Sequence, residues 1–381
     1  MSGITEREAH AAALAGLSAM TPARLRSLLR RHRPEVAWAV ACGEHPDRVV
    51  ESWFARSPEL RQRWANDARM RPPGVLADRC VQARTNVLIL GTDGYPPLLA
   101  GDPEAPAVLF AAGDPTVLAG RRAAIVGTRN ATEGGRRLAL RLGRELADAE
   151  VRVVSGLARG IDGAAHRGVL TSQGGPPVAV VASGPDVPFP KEHTDLWRAV
   201  VERGVVFSEH PPGAPPLAAW FPLRNRILAA LSEVVVVVES RQRGGSLQTA
   251  RLATERQIPV LAVPGSLLNR AAEGTNRLIA DGCAAVLDTL DVLVALGLET
   301  TRLDGPGPDP RPRPSAADTR ILDAFDGDPL TLDQVCLRAG EPIAAVALAV
   351  GRLEAAGWLV DTGGWFEPVA HPHPATRGMT R

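Results

Sequence analysis

Apolar positions fall three and four residues apart through Leu14 and Leu17 and, after the cap-like pair Thr21-Pro22, through Leu25, Leu28 and Leu29. That spacing is helical, and residues 1–85 are expected to form a small helical domain. Between 86 and 121 the apolar runs are short and broken by proline, as in Tyr95-Pro96-Pro97-Leu98-Leu99 and Val108-Leu109-Phe110. They predict a connecting segment packed on the domain C-terminal to it, not a fold of its own. From about 122 to 298 the pattern changes: continuously apolar runs at 123–126, 151–154, 178–182, 205–207, 234–238, 259–263 and 284–287 alternate with amphipathic stretches such as 134–149, 191–203 and 247–256. Runs without a polar face belong to strands buried on both sides of a parallel sheet. The predicted fold class is therefore α/β, with an extended Rossmann-like, doubly wound, mostly parallel sheet over 86–300.

The stretch from Thr301 to Ala316, with Gly305-Pro306-Gly307-Pro308-Asp309-Pro310-Arg311-Pro312-Arg313-Pro314, cannot bury a core and reads as a Pro-rich linker over 301–316. Beyond it, helical patterns at 319–325, 331–339 and 342–356 precede Trp358-Leu359-Val360 and Trp365-Phe366, which flank a turn at 361–364. Three helices and a hairpin predict a winged-helix-like domain over 317–368, followed by a disordered tail at 369–381.

The chain has 381 residues, 43 basic and 42 acidic, for a net charge of +1. Its overall field is too weak to hold a polyanion, so a nucleic-acid binder of this composition must gather its positive charge locally. Cys42, Cys80, Cys283 and Cys336 form no CxxC pair, which argues against a zinc module or a disulfide framework. Glu6, Arg7 and Glu8 interrupt the place a signal peptide would use for its apolar stretch, and no run approaches the roughly 18–20 apolar residues of a membrane span. A cytoplasmic protein with no membrane partner is expected.

In a doubly wound sheet, ligands lie at the carboxyl ends of the strands. The first strand is followed by Gly127-Thr128-Arg129-Asn130-Ala131-Thr132, the second by Ser155-Gly156-Leu157-Ala158-Arg159-Gly160, and the fifth by Arg241-Gln242-Arg243-Gly244-Gly245-Ser246. Each offers backbone N–H groups near a helix start together with a guanidinium, an anion site in outline. Between the fourth and fifth strands lies Trp220-Phe221-Pro222-Leu223-Arg224-Asn225-Arg226, which sets aromatic faces for base stacking beside guanidiniums for phosphate. Together these turns supply the local positive patch that the neutral net charge requires. Phe221 or Trp220 could equally belong to the core, and Arg226 could pair with Asp162 or Glu209.

Catalytic and cofactor signals are lacking. No GxGxxG follows the first strand, no GxxxxGK[ST] occurs, and Ser155 and Ser246 have no evident base. His166 and His193 lack partners at metal-ligand spacing. A binding protein with no cofactor, no metal and no catalytic residues is expected, not an enzyme.

The quoted turns resemble the DNA processing protein A (DprA, also called Smf) family from Tyr95 to about Leu290. The resemblance rests on Val126-Gly127-Thr128-Arg129, the run Ser155 to His166, Ser208-Glu209, Phe221 to Ile227, Gly244 to Ala250, Ala262-Val263-Pro264-Gly265 and Gly274 to Ile279. It differs mildly where Glu133 and Phe189-Pro190 replace the usual aromatic and Tyr-Pro, and Gly184 to Val187 is poorer in glycine than usual. The resemblance implies an extended Rossmann domain that binds single-stranded DNA, often as a homodimer, and loads the RecA recombinase during natural transformation. It also likens 1–85 to SAM or helix-hairpin-helix accessory domains. The expected DNA-binding set is Gly127, Thr128, Arg129, Ser155, Gly156, Arg159, Phe221, Arg224, Asn225, Arg226, Arg243, Gly244, Gly245 and Ser246. The alternative is an enzyme on the same type of fold, a nucleoside-monophosphate phosphoribohydrolase. Such enzymes place a glutamate a few residues after a PGGxGT motif, whereas here Gly244-Gly245 leads into Ser246-Leu247-Gln248-Thr249-Ala250-Arg251.

Overall fold

The computed structural model describes residues 3–298 and 311–369. Most of the expected linker, 301–310, and nearly all of the expected tail lie outside the described residues. The chain divides into two compact units, Met1–Thr300 and Thr301–Arg381.

The first unit opens with α1 (Glu6–Ala15), α2 (Pro22–Arg31), α3 (Pro34–Cys42), α4 (Arg48–Arg56), α5 (Pro58–Met70) and α6 (Pro73–Gln82). Their starts are written locally. Thr5 and Glu8 form a capping box, Thr21 accepts from the Arg24 amide ahead of Pro22, and Asp47 accepts from Val49 and Val50.

Residues 86–121 are not a connecting segment. They carry β1 (Thr85–Ile89), the short α7 (Pro97–Ala100) and β2 (Val108–Gly113), and the two strands pair antiparallel with Leu88 opposite Leu109. Alternate side chains serve two cores. Val87, Ile89, Val108 and Phe110 pack with Leu14, Leu28 and Trp64 of the helices, while Leu88, Leu109 and Ala111 join the other face of the sheet. The change at residue 85 is thus one of secondary structure, not a gap between compact units. The prolines that obscured this two-residue period lie in the insert between the strands, where they interrupt no ladder.

The remaining elements are β3 (Arg122–Val126), α8 (Glu133–Asp148), β4 (Arg152–Ser155), α9 (Ile161–Thr171), β5 (Pro177–Val180), α10 (Thr194–Arg203), β6 (Val205–Ser208), α11 (Trp220–Ala230), β7 (Val234–Val237), α12 (Gly245–Glu255), β8 (Val260–Ala262), α13 (Glu273–Ala280), β9 (Ala284–Ala285) and α14 (Thr289–Ala295). The sheet order is β1-β2-β6-β5-β4-β3-β7-β8-β9, parallel from β6 to β9 and antiparallel at β1, β2 and β6. Strands β5, β6 and β7 are buried at every position, as their unbroken apolar runs require. The run at 284–287 yields only a two-residue strand; Val286 enters the core and Leu287 is exposed. From β3 the chain winds outward to β6, then crosses back to β7 on the other side of β3. The switch point, where such sheets leave a crevice at their carboxyl ends, lies between β3 and β7.

The second unit has α15 (Ala316–Asp323), β10 (Leu330–Thr331), α16 (Leu332–Ala339), α17 (Ile343–Ala355), β11 (Leu359–Asp361) and β12 (Trp365–Pro368), with strand order β10-β12-β11. Phe325, Val335, Val346, Leu353 and Leu359 form its core, in the winged-helix arrangement expected. Among the described residues no single helix is long and apolar enough to cross a membrane.

Candidate functional site

The turns after β3 and β7 are tied together across the switch point. The Thr128 amide donates to the Glu239 carbonyl at 2.8 Å, and the buried Glu239 carboxylate accepts from the Thr132 amide at 2.9 Å and from Thr132 Oγ1 at 2.5 Å. Glu239 therefore holds the start of α8 in place and is committed within the fold.

The turn after β4 is packed from below. Ser155 is fully buried, and its hydroxyl donates to the Ile125 carbonyl at 2.6 Å, so it joins strands and does not face solvent. A Cβ at Gly156 would overlap the Arg224 guanidinium, and one at Gly160, whose φ is +72°, would overlap the Thr128 and Arg129 carbonyls. These two glycines let the β4 turn lie directly against Arg224 and the β3 turn.

Arg224 itself is 7% exposed. Its Nη1 donates to the Val180 carbonyl at 2.6 Å, its Nε has no partner, and it makes no ion pair among the described residues. Burial lowers its pKa to about 10, partly offset by the nearby Asp162, so it remains a cation at neutral pH. Asp162 accepts from the Gly156 amide at 3.2 Å, and burial pushes its carboxyl up against the pull of Arg224.

Over this buried cation lies an accessible layer. The Arg129 guanidinium sits 4.8 Å from the centroid of the Phe221 ring, and Phe221 meets Phe189 at 5.6 Å. Asn225 Nδ2 reaches the Gly245 carbonyl at 3.5 Å, bringing the second turn of α11 to the start of α12. Gly244 caps α12 and Gly245 opens to empty space, whereas Ser246 is buried and donates to Ser240 Oγ at 2.9 Å. Arg241 and Arg243 are exposed, and their guanidiniums make no hydrogen bond or ion pair among the described residues.

Gly127, Thr128, Arg129, Gly156, Phe221, Arg224, Asn225, Gly244 and Gly245 are thus brought to one edge. Four expected members are occupied differently. Arg226 pairs with Glu209 at 2.5 Å, the two side chains only 8% and 11% exposed, which settles the two partners left open by the sequence. Arg159 pairs with Glu192 on the surface. Ser155 and Ser246 bind within the fold, so their glycine neighbours, not their hydroxyls, shape the edge. Sequence reading missed Phe189, which is 40% exposed beside Phe221; its one signal was the Phe189-Pro190 pair. Trp220 stacks on His210 with centroids 3.5 Å apart, so one of its faces is covered.

The histidines serve the fold. His166 is fully buried and burial pushes its imidazole down to about 3, while His193 Nδ1 lies 2.9 Å from the Leu157 carbonyl. Among the described residues no group of three or more His, Cys, Asp or Glu could hold a metal ion. On α17 the one basic side chain, Arg352, is bound by Asp318 at 2.5 Å.

Residues 86–297 match the family described as DNA recombination-mediator protein A, and 305–364 match the DprA winged helix domain. The chain is 34% identical to Protein Smf of Escherichia coli over 339 residues, covering 87% of this chain and 90% of that protein. It is 39% identical to DNA processing protein DprA of Bacillus subtilis over 212 residues, 55% of this chain and 71% of that one. Among solved structures, DprA from Streptococcus pneumoniae superposes with a TM-score of 0.63 at 30% identity, covering 78% of this chain and all of that one. DNA processing protein A from Helicobacter pylori gives 0.50 at 26% identity, over 56% of this chain and 95% of that one. On sequence and fold together, the chain belongs to the DNA recombination-mediator protein A family, DprA or Smf.

Proposed function

We propose that this protein binds single-stranded DNA across the carboxyl edge of its sheet and hands it to the RecA recombinase. The observation that carries the reading is Arg224, a buried cation that makes no direct ion pair among the described residues and has only Asp162 as a nearby carboxylate, in the field of the accessible Arg129, which lies over Phe221 beside Phe189. Phosphates are held by Arg129, by the free Arg241 and Arg243, and by the backbone at the open start of α12. Phe221 and Phe189 supply faces on which any base stacks, so binding tolerates sequence. A duplex keeps its bases stacked on one another and gains only the charge term. The Helicobacter pylori relative, solved to describe its single-stranded DNA binding mode, supports the assignment by likeness.

RecA loading, a homodimer, a role in DNA uptake and a cytoplasmic location follow from the family's role and complete the proposal. We infer a binding protein and not a hydrolase, because both carboxylates at the switch point, Glu239 and Asp162, are turned to internal donors. Duplex reading by α17 is not favoured, with Arg352 bound to Asp318.

The test is fluorescence anisotropy with labelled oligo-dT and a matching duplex at two salt concentrations. Salt-sensitive preference for the single strand, weakened in an Arg129→Gln/Arg243→Gln variant, is expected; equal affinity for the duplex, or no effect of the substitutions, would overturn the assignment. Faster RecA filament assembly on the bound oligonucleotide tests the loading step.

A further inference from the structure

A second concentration of positive charge lies on the helical part of the first unit. A cavity of about 440 Å³ is lined by Arg7 of α1, Arg26, Arg30 and Arg31 of α2, and His32 and Arg33 ahead of α3. Its floor is Leu29, Ile89, Leu90 and Ala107. In a chain whose net charge is +1, six basic side chains around one concavity is a local excess.

The acidic counterpart is small. Asp47 binds both Arg31, at 3.1 Å, and His32, at 2.8 Å, and these contacts hold its carboxyl well below the usual range despite burial. Arg26 Nη1 donates to the Pro103 carbonyl at 2.8 Å, and its inaccessible Nε has no partner. Arg7, Arg30 and Arg33 are exposed, and their side chains make no hydrogen bond or ion pair among the described residues. Favourable interaction with the C-terminal end of α2 accounts for Arg30 and Arg31 at most; it explains neither Arg7 on another helix nor Arg33 beyond the end.

We propose that this cavity is a second phosphate site, taking the backbone of a nucleic-acid strand that extends beyond the crevice; the inference rests on the single-strand reading above. Two features favour a nucleic acid over an acidic protein. The guanidiniums match phosphate geometry, and the apolar floor, with Ile89 and Ala107 buried and Leu29 and Leu90 half-buried, offers little open area to anchor a protein hot spot. Position favours it as well. Helix α2 begins at a cavity lined by Thr21, Pro22, Trp220 and Arg224 and ends at the arginine cavity, and ten residues of helix span about 15 Å. That first cavity shares α11 with the crevice, so a strand that runs from the crevice past Trp220 can reach the arginines on the same compact unit.

The experiment compares wild type, Arg7→Gln/Arg30→Gln/Arg33→Gln and Arg129→Gln with a short oligo-dT and with one several times longer, over a fourfold range of salt. Losing three contacts at about 0.7 each makes the triple variant's log–log salt slope on the long strand shallower by about 2, so wild type loses roughly 20-fold more affinity over that range. The short strand should bind the triple variant as it binds wild type, and melting curves should coincide, because none of the three side chains has a partner to lose. An unchanged slope on the long strand overturns the proposal. So does an equal loss on the short strand, which would indicate a general field. Unchanged DNA binding with lost binding of polyglutamate would reassign the cavity to an acidic protein. Arg129→Gln reports separately on the crevice: if it alone has no effect, the crevice reading fails while the cavity stands.

Discussion

Replacing Glu209 by Gln leaves Arg226 buried with its charge unpaired, and the cost can be worked from the structure. The two side chains are 11% and 8% exposed and meet at 2.5 Å, so solvent screens the pair little. Removing one partner of such a pair costs about 3–5 kcal/mol, chiefly because the remaining charge stays desolvated. The compact unit spans Met1–Thr300. At about 2.1 cal/mol/K per residue its unfolding entropy is roughly 0.6 kcal/mol/K, so Glu209→Gln should lower the melting temperature by about 5–8 °C. Adding Arg226→Met removes the stranded charge and should restore most of the loss, and the double-mutant cycle reads the coupling directly. Thermal melting by circular dichroism gives the stability term. Oligo-dT anisotropy well below the melting range gives the other, and all three variants should bind as wild type does. If Arg226→Met weakened DNA binding tenfold with an unchanged melting temperature, Arg226 would be a DNA contact and its structural assignment would be wrong.

Phe221→Ala removes one stacking face and should weaken oligo-dT binding by about 1–3 kcal/mol, roughly five- to 150-fold by anisotropy, with little change in melting. Gly156→Ala puts a methyl group into the space of the Arg224 guanidinium. The charged hydrogen bond to Val180 must break, at about 1.5–3 kcal/mol, so melting should fall by about 2–5 °C and DNA affinity should drop with it; an unchanged melting curve would show that the guanidinium moves freely. His166 is held neutral by burial, with its pKa near 3 in the fold against 6.5 when free. Its contribution to stability is complete above about pH 6.5 and is lost as pH falls toward 3, by up to about 1.4 kcal/mol per pH unit, because only the unfolded chain takes the proton. Denaturant titrations across that window should show a flatter pH dependence in His166→Gln.

The parallel half of the sheet was legible because strands β3 to β8 lie between two helical layers and must be apolar at consecutive positions. Strands β1 and β2 were not, since their alternation is shared between two separate cores and proline falls between them. At the site, the glycine-bearing turns were readable from chemistry alone, but the direction of each side chain was not. Arg224 and Arg226 sit on one helix with Phe221 and Asn225, yet the arginines point inward, and the partner that claims Arg226 lies 17 residues earlier at the end of β6. Spacing carries no sign of such a pairing. Phe189 escaped because it stands in a loop with no periodicity. The arginine cavity escaped because α1, α2 and the start of α3 each contribute a part that looks like an ordinary solvated charge.

Whether the strand lies over the switch point is tested most directly by photocross-linking oligo-dT that carries 4-thiothymidine and identifying the attached residues by mass spectrometry. The expected attachments are at Phe221 and Phe189, next to Arg129, and they should disappear with unlabelled oligo-dT as competitor. Attachment confined to α17 of the winged helix, with none on the loops after β3, β5 and β7 or on α11, would contradict the assignment.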